Sequence, residues 1–430
     1  MTLAIFVVTI CVVLHLFFVI CGDLTWETND DELFNLIAAG AYGFRDSAYL
    51  IYQNIVYGYL LKLFYTILPS INIYVLLMLG FNSLFITLLC VESTKKLSLF
   101  YSLICTLIIN LILRLNFFSV LQFTKNAFLY TAVGLYFLLT GLQEHRISKR
   151  VIGYIGIALG FCVRWQACIF ALPFFFVFLF FKKYNWKYSL SVCITMLVLL
   201  GSLHFINRFA YSSREWNYYR AYNKARTALV DYGIPSYKEH KTDYLKIGVS
   251  ENDFEVLQQW NYADESVFSL EKLQAIEAIK KQSQHISLGS FIDNGFIALN
   301  QCLYEHTLFP ILWAFILCIL IFFGTSQEQW IAITCSVLIY LLYSYLSVTR
   351  IQWRVEIGVW ITPLILILPY LLKHLEGNES SSKRSQILLS MMLISITAFT
   401  QIYHLVREKQ GHIILSHDCE LPLIPLSPFS

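Results

Sequence analysis

The feature that most constrains this chain is the recurrence, from end to end, of about eleven apolar stretches, most of them 16 to 21 residues long. Each is close to the ~20 residues that a helix needs to cross a bilayer. Composition agrees with that reading. Of 430 residues, 57% are hydrophobic and 14% charged, and the mean hydropathy is +0.61, whereas soluble domains carry roughly 25% charged residues. A soluble or disordered protein is excluded, and the expected fold is an all-α polytopic membrane protein.

The expected spans begin with residues 3–21, which lack the basic n-region of a secretory signal and read as an uncleaved first helix. The others fall at about 71–91, 98–116, 119–141, 151–166, 167–181, 188–206, 306–324, 330–348, 356–372 and 386–403. The basic clusters Lys95/Lys96, His145 to Arg150, Lys182 to Lys187 and Lys373 to Arg384 should face the cytoplasm. They do so together only if residues 48–68 make no net crossing. That segment carries Asn54, Gly58, Lys62 and Thr66 at i, i+4 spacing and fits a helix lying at the outer interface; the alternative is an ordinary second span. Net charge is +3 with no basic tract, so nothing points to nucleic acid. Most of the eleven cysteines lie inside apolar stretches without a Cys-x-x-Cys pair and read as small apolar residues.

This topology divides the chain into an N-terminal transmembrane module (1–206) with an outer loop at 22–70, an extracytoplasmic insert (207–305), C-terminal transmembrane helices (306–403) and a tail (404–430). The insert is long for an interhelical loop and contains Trp216, Tyr218, Tyr219, Tyr222, Tyr232 and Trp260, so it is expected to fold as a mostly helical unit. Within it, Ser250-Glu-Asn-Asp253 has the form of a helix start. No cytoplasmic loop is long enough for a nucleotide-binding domain, and no phosphate loop or metalloprotease motif is visible.

Just beyond the first span lies Trp26-Glu27-Thr28-Asn29-Asp30-Asp31-Glu32-Leu33-Phe34, with four carboxylates in six residues. Acidic groups next to hydrocarbon are costly and are retained mainly for pairing or function, although a solvated loop would look the same on charge alone. Asp31-Glu32-x-Phe34, followed by Ala38 or Ala39 and then Gly43, resembles the signature that opens the first outer loop of the GT-C glycosyltransferases, integral membrane enzymes that use polyprenyl-phosphate sugars. One aromatic sits a position early, and Asp30 is additional. The resemblance implies that an acidic residue of this loop acts as general base on an acceptor hydroxyl or orients a metal. Asp31 is the expected base, with Asp30 and Glu32 orienting the acceptor; Asp30 and Asp31 could hold a divalent cation, although no cofactor is required.

A lipid-phosphate donor also calls for positive charge at the same face. Arg164 lies between two short spans, and Arg350 and Arg354 sit in a turn before the span at 356–372. A guanidinium can grip two phosphate oxygens, and the neighbouring Trp165 and Trp353 suit the headgroup level; simple snorkelling to headgroups is the competing reading. The outer arginine pair also resembles the arginine-containing turn before a late helix in GT-C enzymes. Arg114 and Lys125 are weaker candidates of this kind. In the insert, Trp216, Tyr222 and Arg226 share a basic, aromatic helix that could stack an acceptor sugar or simply pack against the membrane. Glu305-His306 could form an acid/base pair, or the histidine could be structural.

The leading expectation is a glycosyltransferase of a plasma membrane, of bacterial type, with a polyprenyl-phosphate sugar, a glycan or lipid-linked acceptor and the bilayer as partners. The nearest rival is a surface-polysaccharide polymerase or ligase, which needs no acid after the first helix. A flippase or transporter would place charge at mid-membrane, where this sequence has almost none.

Overall fold

The computed structural model describes residues 2–373 except 43, 44, 183, 263, 266, 284–287, 306, 307 and 349. Its helices are α1 (Thr2–Cys21), α2 (Asn29–Ala39), α3 (Ile55–Ile67), α4 (Ile73–Thr94), α5 (Leu99–Arg114), α6 (Phe123–Gln143), α7 (Ile147–Val163), α8 (Trp165–Phe181) and α9 (Trp186–Ala210). They continue with α10 (Arg214–Val230), α11 (Lys241–Lys246), α12 (Glu251–Gln258), α13 (Leu270–Ser283), α14 (Leu288–Glu305), α15 (Leu308–Phe323), α16 (Ser326–Val348) and α17 (Trp353–Lys373). A π-helical turn, Leu115–Ser119, extends α5, and two short strands, β1 (Thr25–Trp26) and β2 (Val120–Leu121), pair in parallel. The fold is all-α, as the apolar pattern requires.

Among the described residues six helices are long and apolar enough to cross a membrane: α1, α4, α5 with its π turn, α9, α16 and α17. α14 and α15 together make a seventh if they are taken as one span broken by a 103° bend. That count takes length and apolarity alone; α6, α7, α8 and α15 fill the expected stretches at 119–141, 151–166, 167–181 and 306–324. α8 has 17 residues and α3 has 13, about 26 and 20 Å at 1.5 Å per residue, so α8 is at the short end of what crosses a bilayer core and α3 falls short of it. α3 also occupies only 55–67 of the segment 48–68, whose first part is non-helical and leads to the Asn54 N-cap. The candidate span 386–403 and the tail lie outside the described residues.

α6 is the hub. Nearly every residue from Phe123 to Leu142 is buried, including Lys125, Asn126 and Thr131, because α4, α7, α8 and α17 surround it. Its closest neighbour is α7, and glycines allow that approach. A Cβ at Gly134 would sit 2.7 Å from the Gly153 carbonyl oxygen, and one at Gly156 would sit 2.9 Å from the Tyr130 carbonyl oxygen. Such small-residue seams bring helices together where a hydrophobic driving force between them is absent. In contrast, α1 and α9 leave large apolar side chains such as Ile20 (78%) and Phe209 (73%) exposed, as lipid-facing helices do.

The insert has its own core. Leu229 of α10, Tyr244 of α11, Leu257 of α12 and Ile276 of α13 form a cluster separate from the main one. α12 opens with the capping box formed by Ser250 and Asp253. α14 instead joins the main bundle: Ala298 and Cys302 belong to its core, and the Tyr343 hydroxyl donates to Cys302 Sγ over 3.0 Å. The described cysteines form no disulfide with one another.

Because α4, α6, α8 and α17 run alongside one another, the chain has two chemically different ends. Asp31, Lys125, Arg164 and Arg354 gather where these helices begin. Lys95, Glu144, Lys149 and Lys182 gather at the other, about 30 Å away along the 22 residues of α4. Gly156→Leu would force α6 and α7 apart. Its overpacking should cost about 1–3 kcal/mol or more, read as a lowered unfolding temperature in detergent; an unchanged midpoint would show that the seam can relax.

Candidate functional site

The loop that follows α1 is fixed by three local devices. β1 pairs with β2 in the register Thr25 to Val120 and Trp26 to Leu121, and the Glu27 N–H continues the pairing by donating to the Leu121 carbonyl over 3.1 Å. The chain then turns into α2, which ends at Gly40, whose φ of +76° suits a residue without Cβ. The stretch before α3 is held by α9: Asn54 Nδ2 donates to the Leu203 carbonyl at 3.0 Å, and Asn207 Oδ1 accepts from the Ile55 N–H at 2.9 Å. Together these place α2 across the starts of α4 and α6.

Asp31 sits at that junction and is fully buried. Its Oδ1 accepts from the Tyr74 hydroxyl of α4 and from the Phe123 N–H at the start of α6, each at 3.0 Å. Gln122 caps the next two N–H groups of α6, so Asp31 completes the capping of that helix and lies at its positive dipole end. Tyr74 Oη in turn accepts from Gln53 Nε2 at 2.9 Å. Asp31 Oδ2 has only the longer contact from the Thr28 hydroxyl, 3.5 Å. Burial pushes the Asp31 carboxyl up from 3.8 to about 7, against the opposing pull of the Tyr74 and Phe123 hydrogen bonds. Such a carboxyl is poised to exchange a proton near neutrality.

Cations gather at the same helix start. Lys125, one turn into α6, is completely buried; its Nζ lies 2.7 Å from Glu27 Oε2 and donates to the Val120 carbonyl at 2.7 Å. Arg164 occupies the extended break between α7 and α8, where its guanidinium lies over Tyr52 (4.8 Å to the ring centre) and Phe123 (5.5 Å). Arg164 Nη1 is buried without a hydrogen-bond partner among the described residues. The Arg354 charge acts on both Lys125 and Arg164, and Asp30 acts on both Asp31 and Arg164. Asp30, Asp31, Arg164 and Arg354 therefore form one constellation drawn from three distant parts of the sequence.

Other candidates lie elsewhere. Glu32 is exposed on α2. Arg350 pairs with Asp231 of the insert at 3.3 Å, linking the end of α10 to the approach to α17. Trp216 stacks on Tyr49 (5.4 Å) and meets Tyr211 edge-on (4.9 Å), anchoring the insert to the first loop. Tyr222 donates to the Tyr262 carbonyl, and Arg226 bonds Asn223 and the Tyr262 hydroxyl, so both serve the packing of the insert. Arg114 lies over the Phe18 ring. Gly43 and the His306 of the Glu305-His306 pair lie outside the described residues. Among the described residues no group of three or more His, Cys, Asp or Glu side chains could hold a metal ion.

Tyr74 and Gln53 escaped the sequence reading. Tyr74 looks like an ordinary interfacial tyrosine at the start of a span, and its role appears only when α2 is laid across α4. A Lys and a Gln at the first turn of an apolar stretch, as in Gln122 and Lys125, were the available signal for a polar helix end.

Compared with known protein families, curated proteins and solved structures, the chain matches none.

Between about pH 4 and 7 the folded chain holds one proton more at Asp31 than the unfolded chain does. Stability from this group is therefore full below the unfolded value and falls as pH rises through about 7. Asp31→Asn keeps an acceptor for Tyr74 and Phe123 and removes the buried charge. Its unfolding temperature should exceed the wild type's at pH 8 and match it near pH 4; a lower midpoint at pH 8 would show that the ionised carboxylate is well compensated.

Proposed function

We propose that this chain is a membrane glycosyltransferase of the GT-C kind, which moves a sugar from a polyprenyl-phosphate donor to a hydroxyl of a cell-envelope glycan or lipid-linked acceptor on the outer face of a plasma membrane. The observation that carries this reading is the buried Asp31 carboxyl, with one oxygen fixed by the Phe123 N–H and the other lightly held, while an arginine whose Nη1 has no partner among the described residues lies over the Phe123 ring. That pairing of a base with an anion-binding cation is what the transfer needs.

In this reading the lysine-rich end faces the cytoplasm, consistent with the positive-inside bias, and the Asp31 end faces outward. The acceptor hydroxyl displaces Thr28 from Asp31 Oδ2 and gives that oxygen its proton as it attacks the anomeric carbon. The bond from that carbon to the phosphate oxygen breaks, and polyprenyl phosphate leaves with the electron pair. Arg164 and Arg354 stabilise the negative charge that develops on the phosphate. Tyr74 and the Phe123 N–H hold Oδ1, so the base is already oriented before the acceptor arrives. Lys125, neutralised by Glu27, keeps the pocket from accumulating net negative charge.

The test is transfer from a radiolabelled polyprenyl-phosphate sugar in membranes. Asp31→Asn should lower the rate by about 10²–10⁴-fold, the span typical of a lost general base, while the protein stays folded. The wild-type rate should fall as pH drops below about 7, as Asp31 takes up its proton. Arg164→Lys, which keeps the charge but loses the planar fork, should cost about 10- to 100-fold, the equivalent of one strong charge-assisted contact. Undiminished transfer by Asp31→Asn would remove Asp31 from the chemistry. Transport of lipid-linked sugar with no glycosidic bond formed would replace the enzyme reading altogether.

A further inference from the structure

The far end of the bundle from Asp31 holds a second polar feature, which the transfer reaction does not use. A cavity of about 360 Å³ opens between the ends of α4, α6, α8 and α17 and the start of α16. Lys95, Lys96 and Lys182 line it, together with Glu92, Glu144 and Glu328. The carboxylates are already engaged. Lys95 Nζ lies 2.5 Å from both Glu92 and Glu144, Lys149 bridges the same two at 2.5 and 2.6 Å, and Arg146 reaches Glu144 at 3.6 Å. Glu328 accepts from the Thr325 N–H at 2.9 Å. Counting Lys149 and Arg146 with the lining residues, five cations meet three carboxylates.

The cavity does not stand alone. Leu372 is also part of the wall of an almost wholly apolar crevice, which runs between α4, α5, α15 and α17 past Leu89, Ile108, Ile112, Ile316 and Leu368. Along α17 that crevice extends from Ile361 to Leu372, about 16 Å at 1.5 Å per residue. A polar chamber with surplus positive charge thus opens at the membrane-surface end of a groove deep enough for most of an acyl chain.

We propose that this pair of cavities binds one anionic glycerophospholipid of the adjoining leaflet, with its phosphodiester among Lys95, Lys96 and Lys182 and one acyl chain in the crevice. Charge complementarity selects the occupant: a headgroup of net charge −1 meets the surplus cations, and Thr140, Gln143 and Gln327 offer polar groups to the headgroup hydroxyls. Basic pockets between transmembrane helices at the cytoplasmic side commonly recognise lipid headgroups in this way. The bound lipid would tie α5 and α15 to α17, whose other end carries Arg354.

The test uses the full-length protein, purified in mild detergent and exposed to defined lipids, with bound lipid counted by native mass spectrometry and stability followed by thermal unfolding. Phosphatidylglycerol should be retained and should raise the unfolding temperature more than phosphatidylcholine does. Lys96→Gln, an exposed side chain whose replacement leaves the Glu92/Glu144 network intact, should cut the preference for phosphatidylglycerol several-fold. Leu368→Trp, which fills the crevice, should reduce retention of both lipids. Equal effects of the two lipids would overturn the proposal. So would full stabilisation by inorganic phosphate or glycerol phosphate alone, which would make this a simple anion site. Unchanged retention in a folded Leu368→Trp protein would also overturn it, assigning the crevice to another occupant such as residues 386–403.

Discussion

One carboxylate organises the face at which the proposed chemistry occurs. Asp31 belongs to α2 by sequence, but its oxygen completes the N-terminal cap of α6 and receives the hydroxyl of α4. A buried acid left unpaired would be expensive, so the three elements hold one another. β1 and β2 bring the loop to the site, Asn54 and Asn207 fix the stretch that carries Gln53, and Gln53 steadies Tyr74. The position of Asp31 is a property of the whole N-terminal half.

The same interaction explains why a hub as apolar as α6 begins with Gln122, Phe123, Thr124 and Lys125. Its first turn is where the dipole end of a buried helix needs anions, and Asp31 and Glu27 supply them. Its middle is closed on all sides, with glycines on α7 admitting the closest neighbour. Its last turn leads to Glu144 and the lysine network. A helix buried along nearly its whole length therefore connects the Asp31 site to the proposed lipid chamber.

Much of this was legible in the sequence. The spans at 71–91, 188–206 and 330–348 fall within a few residues of α4, α9 and α16, because long lipid-facing helices carry their apolarity in plain sight. The break at Arg164 and the gathering of basic residues at one end were also readable. What was hidden depends on tertiary contacts. Apolar windows cannot separate a helix facing lipid from one enclosed by other helices, so nothing in the stretch 119–141 marks α6 as the buried hub. The expected insert, 207–305, takes in α14, whose apolar face packs on α16 rather than on the other insert helices. Asp31 was singled out by its motif, but its distinction from Asp30 and Glu32 comes from the cradle of Tyr74 and Phe123, residues 43 and 92 positions away.

The proposed chemistry depends on the state of the Asp31 carboxyl. The most direct measurement is an infrared titration of its C=O stretch in the full-length protein, isolated by difference against Asp31→Asn. The protonated band should appear with a midpoint near pH 7 and lie at the high frequency of a buried acid. A midpoint near 4, with the carboxyl responding freely to solvent, would contradict the closed cradle and, with it, the role of Asp31 as a poised base.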